Sequence, residues 1–201
     1  MKKSKEEAYE TVVKLIGVAR KHFAERGYAE SSMEEIVAEA NLTRGALYHH
    51  FGGKKGLFQA VLESVQKELG ERVEAAATQS DDVWEQLILG CRAFIAVAIE
   101  PEIRRILLID GPAVLGWEAW REMDEKNSMR HLREQLQLMQ QAGYLKRVPL
   151  NAMTHFFSGA LNESALWIAQ DSNDGQPLEE TMTVLTHFMS GFKNDGGSPS
   201  L

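Results

Sequence analysis

The stretch from Thr43 to Phe51 carries the side chains best suited to contact with an anionic surface. Leu47 and Phe51 can anchor one side of a short helix in a hydrophobic core. The residues left for a partner are those at its front and on its outer side, namely Thr43, Arg44, Gly45 and Tyr48. They offer hydrogen-bond donors and, at the glycine, close backbone approach, which is the chemistry of contact with a nucleic-acid duplex.

The sequence patterns of common catalytic sites are missing from the chain. It contains no Gly-x-Ser-x-Gly, no His-Glu-x-x-His and no glycine-rich phosphate loop. The adjacent His49 and His50 would point about 100° apart on a helix, so they cannot readily share a metal ion. We therefore expect no enzyme, no metal site and no cofactor.

Two short helices joined by a tight turn would position this polar stretch. Ser32 followed by Glu35 is a capping box that starts the first helix. Its buried face would consist of Met33, Ile36, Val37 and Ala40. Asn41-Leu42 supplies the turn, since Asn tolerates the left-handed conformation, and Thr43 caps a second helix from Arg44 to about His50. This layout predicts a helix-turn-helix.

The remainder of the chain also predicts helices, because no segment alternates apolar and polar residues as a strand would. The predicted helices outside the helix-turn-helix cover about 5–26, 54–77, 82–99, 102–108, 117–142, 149–169 and 178–192. Gly27 should end the first of them, with Tyr28 packing back on Phe23. Gly111-Pro112 should end the helix over 102–108, and residues 194–201 should form a disordered tail.

Charge is distributed unevenly along the 201 residues, whose formal net charge is −7. Residues 1–58 carry 10 Lys and Arg against 8 Asp and Glu, so the positive balance lies at the N-terminus. Such a distribution is compatible with DNA binding, because phosphate neutralisation is local to the contacting face. The longest apolar run, Ala93 to Ile99, is too short to cross a bilayer, and the single Cys91 allows no internal disulfide. These features predict a cytoplasmic protein without a membrane partner.

The run from Gly27 to Phe58 resembles the signature of the TetR family of transcriptional regulators. Its matching features are a Gly-aromatic pair, a Ser cap, an Ile-containing helix, a small turn, and then Leu47-Tyr48-His49-His50-Phe51, Lys54 and Leu57-Phe58. Two positions depart mildly from the pattern: Asn41 stands where glycine is common and Val37 where alanine is. The resemblance implies an all-α fold, with an N-terminal three-helix DNA-binding domain and a C-terminal helical bundle for dimerisation and ligand sensing.

The same resemblance implies roles for individual residues. Tyr48 and His50 stand where the family contacts phosphates, and Lys54 stands at the matching start of the next helix. Thr43, Arg44 and Gly45 occupy the front of the recognition helix, where base edges are read, and Arg44 suits a bidentate contact with guanine. Ser32 and His49 complete the predicted set. Each has a structural alternative: Ser32 and Thr43 as caps only, Tyr48 as a half-buried aromatic, and Lys54 as solvated surface.

For the second half, the resemblance implies a dimer interface formed by the last two long helices. The predicted apolar faces consist of Phe156, Phe157, Ala160, Leu161, Ala165 and Leu166, with Leu185, Phe188 and Met189. A ligand pocket would lie in the same bundle, with candidates Trp84, Phe94, Trp117, Trp120, Met123, Asn162 and Trp167. Aromatic and Met residues at helical spacing also serve as ordinary core, and that alternative stays open for each.

Together these features predict a DNA-binding domain over 1–58, extending along a linking helix to about 77, and an effector and dimerisation domain over 78–193. The leading hypothesis is a homodimeric repressor released from a palindromic double-stranded DNA operator by a small apolar or amphipathic effector of unknown identity. A second hypothesis is an architectural or cell-division factor on the same fold without an effector. An all-helical enzyme is the third.

Overall fold

A computed structural model describes residues 5–170 and 176–194 of the chain. The described residues form helices, and their one β-type pairing is an isolated bridge between Leu145 and Lys193. The α-helices, in chain order, are α1 (Lys5–Glu30), α2 (Met33–Glu39), α3 (Arg44–Phe51), α4 (Lys54–Ala77), α5 (Val83–Ala98), α6 (Pro101–Arg104), α7 (Gly111–Leu115), α8 (Trp117–Lys126), α9 (Ser128–Gln141), α10 (Leu150–Ile168) and α11 (Gln176–Ser190). A π-helical segment, Arg105–Asp110, lies between α6 and α7. The prediction of an all-α fold is confirmed.

The chain divides into two compact units, and each unit combines two segments that are separate in the sequence. The first unit consists of residues up to Gln66 together with Pro101–Met123, and the second consists of Lys67–Glu100 together with residues from Asp124 onward. The sequence predicts one domain over 78–193, whereas the structure groups residues 101–123 with the helix-turn-helix. The reason is a set of long-range contacts between this segment and the end of α1, described below.

The first unit is built around the kinked end of α1. Gly27 adopts φ 80° and ψ 170°, a conformation open to glycine, and the helical geometry breaks there as predicted. Beyond the kink, the ring of Tyr28 lies 5.9 Å from that of Phe23, which confirms the predicted contact. Phe58, from α4, packs edge-on against both rings with centroid distances of 5.2 Å. This aromatic cluster fixes the start of α4 against the end of α1.

The boundaries of three predicted helices differ from those observed. Gly111-Pro112 does not end a helix, because the backbone passes through the π-helical segment into α7, where the proline sits in the first turn and no donor is needed. Gly116, at φ 88°, ends that stretch instead. The predicted helix over 117–142 is broken at Asn127, whose φ of −117° and ψ of −100° are not helical. The last helix begins at Gln176 and ends at Ser190, two residues early at each end.

The second unit has a core shared by α5, α9, α10 and α11. Its largest fully buried side chains include Ile95 and Phe157, and Cys91 is buried beside them. Arg92 of α5 forms an ion pair with Glu179 of α11. At the C-terminal end, the backbone N–H of Asn194 donates to the carbonyl of Tyr144 at 3.0 Å, so the predicted tail begins in ordered structure. Residues 195–201 of that tail lie outside the described residues.

None of the described helices is both long enough and apolar enough to cross a bilayer.

Candidate nucleic-acid interface and ligand cavity

The turn between α2 and α3 has the geometry that a helix-turn-helix requires. The Ser32 hydroxyl accepts a hydrogen bond from the backbone N–H of Glu35, which confirms the predicted cap. Ile36 and Val37 bury the inner face of α2. Asn41 takes φ 52° and is the single described non-glycine residue with a positive φ, as the turn prediction requires. α2 can therefore brace α3 through a connection of a few residues.

α3 is held from one side and open on the other. Thr43 caps it, its hydroxyl accepting from the Ala46 N–H at 3.1 Å, and Leu47 is completely buried. Tyr48 has 46% of its surface exposed. The other exposed residues of the cap and outer face are Thr43, Arg44, Gly45 and His49, while His50 is half-buried. The structure thus brings the predicted recognition residues together on one accessible helix.

Arg44 is held by neighbouring side chains in the absence of DNA. Its Nη1 lies 2.7 Å from Glu34 Oε1 of α2, and its guanidinium carbon lies 5.9 Å from the centre of the Tyr48 ring. The pKa of Arg44 is raised, first by the hydrogen bond with Tyr48 and then by the Glu34 charge. The pKa of Glu34 is lowered by its own backbone amide, then by the Ser32 hydroxyl and the Arg44 charge. A base or phosphate that binds Arg44 must therefore compete with Glu34.

Lys54 and the histidine pair occupy different surroundings. The Lys54 ammonium donates to the Ala29 carbonyl at 3.1 Å and lies 4.6 Å from the centre of the Tyr28 ring. It therefore connects the start of α4 to the end of α1, and an ammonium retains further donors for a phosphate. The rings of His49 and His50 are 5.0 Å apart in an edge-on arrangement. Within residues 5–170 and 176–194, no group of three His, Cys, Asp or Glu side chains is arranged to hold a metal ion.

Polar contacts around the buried His22 and Ser31 hold α1 against α2, and they were not predicted from the sequence. His22 is buried, and its Nε2 lies 2.8 Å from Glu39 Oε2. The pKa of Glu39 is lowered, chiefly by this hydrogen bond and then by that of Lys21. Ser31, also buried, directs its hydroxyl to the carbonyls of His22 and Gly27. These contacts join residues that local sequence patterns do not link.

A second missed group attaches the π-helical segment to the end of α1. The Arg105 guanidinium donates to the carbonyls of Glu25 at 3.3 Å and Arg26 at 3.0 Å. Asp110, one helical turn further on, accepts from the backbone N–H of Tyr28 at 2.8 Å. Side chains some eighty residues away thereby satisfy backbone groups at the last turn of α1, the task that a local cap usually performs. This is why residues 101–123 belong to the first unit.

A cavity of about 290 Å³ lies within the second unit, between the second half of α4 and helices α5, α9 and α10. Its apolar walls include Val73, Leu87, Phe94, Met129 and Leu161. Its polar lining comprises Glu74, Thr78, Gln86, Asp124, Ser128, His131, Glu134, Gln135 and Ser158. The volume is at the lower end of the range of about 300–1,000 Å³ that is usual for small-molecule sites.

Of the seven predicted ligand residues, Phe94 alone is among the described residues that line this cavity. Trp117, Trp120 and Met123 belong to the first unit. The buried Trp120 indole donates to the Leu107 carbonyl at 2.8 Å. The ring of Trp117, which is 63% exposed, lies beside the Trp120 ring with a centroid distance of 5.0 Å. In the second unit, Trp84 packs on the core with the Lys193 ammonium 4.9 Å from its ring, Asn162 is half-buried and Trp167 is exposed.

α10 and α11 share an exposed apolar face, which we call the α10–α11 face. It is formed by Phe156, Trp167, Val184 and Phe188, each between 47% and 69% exposed. The Phe156 and Phe188 rings stack at 5.3 Å. Trp167 follows Phe156 by close to three helical turns, at about 3.6 residues per turn, so both lie on the same side of α10. The predicted interface residues Phe157, Leu161, Ala165, Leu185 and Met189 are instead buried in the unit's own core.

Comparisons with known proteins match both the helix-turn-helix and the C-terminal helices. Residues 15–61 match the family described as bacterial regulatory proteins, tetR family, and residues 84–192 match the tetracyclin repressor-like C-terminal domain. A crystal structure of a TetR-family transcriptional regulator from Pectobacterium atrosepticum is 36% identical, with a TM-score of 0.77, over 98% of this chain and 100% of that one. The structure of RolR in complex with resorcinol shares the fold at 20% identity, with a TM-score of 0.71 over 92% of this chain and 90% of that one.

Curated relatives match about half of this chain or less. The HTH-type transcriptional regulator TtgR of Pseudomonas putida is 34% identical over 112 residues, which are 53% of this chain and 51% of TtgR. AcrR of Shigella flexneri is 39% identical over 70 residues, 35% of this chain and 33% of that protein. The chain thus matches about half or less of the length of these relatives. The family matches, which cover the helix-turn-helix and more than half of the chain, show that this protein belongs to the TetR family of transcriptional regulators and not to an enzyme family.

Proposed function

We propose that this chain is a homodimeric repressor that binds a palindromic operator and is released from it by a small molecule. The observation that carries the proposal is α3, which is anchored through the buried Leu47 and leaves the outer face exposed. An α-helix of this kind fits the major groove of B-DNA, with its first residues against the base edges. DNA binding would also place the protein in the cytoplasm, with the genome.

The proposed contacts with bases and with phosphates are assigned by the exposure and the chemistry of each side chain. Arg44 and Thr43 stand at the start of α3, where base edges would be read, and Gly45 gives the backbone room to approach. The remaining proposed contacts, to phosphates, are those of Ser32, Tyr48, His49, His50 and Lys54. Arg44 has to exchange its ion pair with Glu34 for a contact with DNA, so we expect its contribution to affinity to be smaller than that of an unpaired arginine.

Two copies are needed because one α3 reads only one half-site. Dimers of helix-turn-helix proteins place two recognition helices about 34–36 Å apart, one turn of DNA. The α10–α11 face supports the proposed dimer, since exposed aromatic residues that stack on each other are typical of the centre of protein interfaces. A two-fold axis through this face would pair it with the same face of a second copy.

Ligand release would act through a change in conformational populations. A ligand that binds one dimer conformation more tightly shifts the equilibrium by its differential affinity, and DNA binding falls if that conformation misplaces the α3 pair. The cavity in the second unit supports this part of the proposal, because it is concave and combines apolar walls with polar side chains that could orient a ligand.

The test begins with selection of bound duplexes from a random-sequence pool, using the full-length protein. We expect a palindrome with half-sites about one helical turn apart. Tyr48→Phe, which removes one hydroxyl, should weaken binding about fivefold on every selected sequence, because a phosphate contact carries no base preference. Tyr144→Phe, the same change in the second unit, should leave binding unchanged. A single asymmetric site, or equal affinity of wild type and Tyr48→Phe, would contradict the proposal.

The dimer is tested separately by sedimentation velocity. Phe188→Glu places a charge within the α10–α11 face, where burial against a second copy would desolvate it, so the variant should sediment as a monomer. Val13→Glu is the matched control, since Val13 is 50% exposed on α1 and should tolerate the charge. A dimeric Phe188→Glu variant would show that the two copies meet elsewhere.

A further inference from the structure

One carboxylate joins the start of α2 to the start of α3. Glu34 stands exposed in the first turn of α2, and its Oε1 lies 2.7 Å from Nη1 of Arg44, the first residue of α3. Its other oxygen, Oε2, accepts a hydrogen bond from the Ser32 hydroxyl at 3.0 Å. α3 itself contains no Asp or Glu. Each oxygen of this carboxylate therefore contacts a side chain that is proposed to bind DNA.

The contact with Glu34 uses the whole donor capacity of the Ser32 side chain. A serine hydroxyl has one proton to donate. Ser32 directs that proton to Glu34, while its oxygen accepts from the backbone N–H of Glu35 at 3.4 Å. A phosphate oxygen of DNA is an acceptor, so it requires the same proton. Ser32 can therefore donate to a phosphate only after it has released Glu34.

Arg44 is neutralised by the same carboxylate. Its guanidinium keeps further N–H donors, because one nitrogen contacts Glu34 and a guanidinium has five donors in all. The pKa of Glu34 is lowered, first by its own backbone amide and then by Ser32 and the Arg44 charge, so the carboxylate is ionised at neutral pH. Attraction to DNA phosphates depends on the local positive charge of the contacting face. The pair of Arg44 and Glu34 contributes no net charge to that face.

We infer that Glu34 is an internal competitor for DNA, whose carboxylate holds Ser32 and Arg44 in the free protein and limits the affinity for the operator. The inference rests on the proposed DNA binding by α3 and identifies a residue that tunes it. On binding, both side chains exchange the carboxylate for DNA, and the freed negative charge stays beside the phosphates. Limited affinity suits a repressor that has to be released, because coupling between two sites typically changes affinity by about 5–150-fold.

The variant Glu34→Gln removes the charge and retains the size of the side chain. Fluorescence anisotropy with the full-length protein and the selected operator should show binding about three- to tenfold tighter than wild type. Loss of an exposed ion pair accounts for up to about fivefold of this gain, and loss of a negative charge beside the phosphates for about twofold more. The plot of log affinity against log salt concentration should steepen by about 0.9, because one more net positive charge meets the phosphates.

Two controls separate this competition from a general effect of surface charge. Glu30→Gln removes the same charge at the exposed end of α1 and leaves the contacts of Glu34 in place, so it should change affinity by less than about twofold. In an Arg44→Ala background, Glu34→Gln should tighten binding by at most about twofold, because the ion pair is already absent. An equal gain in the Arg44→Ala background, or an equal gain from Glu30→Gln, would overturn the inference.

A second variant, Glu34→Ala, places the best helix former at this exposed position and should give the same gain. Misfolding would weaken binding, so it cannot produce tighter binding. Unchanged or weaker operator binding in both variants would overturn the inference, and weaker binding would show that Glu34 positions Arg44 for DNA. Either result would leave the proposed function intact if the wild type selects an operator and Tyr48→Phe binds it more weakly. A wild type that selects no duplex would overturn both.

Discussion

Replacement of Gly45 by alanine separates DNA contact from folding, because the two effects are expected to have opposite signs. Gly45 is the second residue of α3 and has no left-handed φ that would require glycine. An added Cβ would meet one described atom of the protein within 4 Å, Thr43 Oγ1 at 3.7 Å, which is an ordinary contact. The substitution therefore introduces no strain in the free protein.

The folded protein should become more stable. Glycine costs roughly 0.5–1 kcal/mol relative to alanine inside a helix, and the cost is at the lower end near a helix terminus. For a chain of this size, such a gain raises Tm by about 1–4 °C. DNA binding should weaken all the same, because the methyl group would stand between the α3 backbone and the duplex. We expect at least a tenfold loss of affinity, about 1.4 kcal/mol.

The two quantities are measured on one preparation, by thermal unfolding and by fluorescence anisotropy with the selected operator. Gly17→Ala is the matched control, since Gly17 is an exposed glycine within α1 with no atom within 4 Å of an added Cβ. It should raise Tm by at least as much, because Gly17 lies inside α1 and not at its end, and it should leave affinity unchanged. Wild-type operator affinity in Gly45→Ala would refute the close approach of the α3 backbone to DNA.

Further predictions concern two buried groups, Ser31 and Cys91, and the exposed carboxylate of Glu39. Ser31→Ala should lower the free energy of unfolding by about 1–2 kcal/mol in urea denaturation, because the His22 and Gly27 carbonyls lose the buried hydroxyl donor that they share. An unchanged unfolding midpoint would show that these bonds contribute nothing. Burial raises the pKa of the Cys91 thiol to about 12, so a thiol-reactive probe at pH 8 should label the native protein far more slowly than the urea-unfolded one, and equal rates would contradict its burial. The pKa of Glu39 is lowered from its ordinary 4.5, chiefly by the His22 hydrogen bond, so its stabilising effect is complete above about pH 4.5 and is lost as the pH falls through the folded value. Glu39→Gln should therefore flatten the loss of stability between pH 5 and 3, whereas a parallel pH profile would argue against the contact.

Several local elements were predictable because their signals act within a few residues. The caps Ser32 and Thr43, the turn at Asn41 and the kink at Gly27 follow from side-chain hydrogen bonding or from backbone freedom at one position. Helix boundaries failed where those signals were ambiguous. A proline in a first helical turn resembles one that ends a helix, and the break at Asn127 has no glycine or proline to indicate it.

The sequence by itself determined the helical class, the helix-turn-helix and the set of residues exposed on α3, since periodicity and capping depend on near neighbours alone. Only the tertiary structure decided which apolar residues fill the core and which remain outside. Phe156 and Phe157 are adjacent and chemically identical, yet one is exposed and the other buried, because α10 turns them by about 100° relative to each other. The cavity, and the attachment of Arg105 to α1, depend on packing between distant segments, which no local pattern encodes.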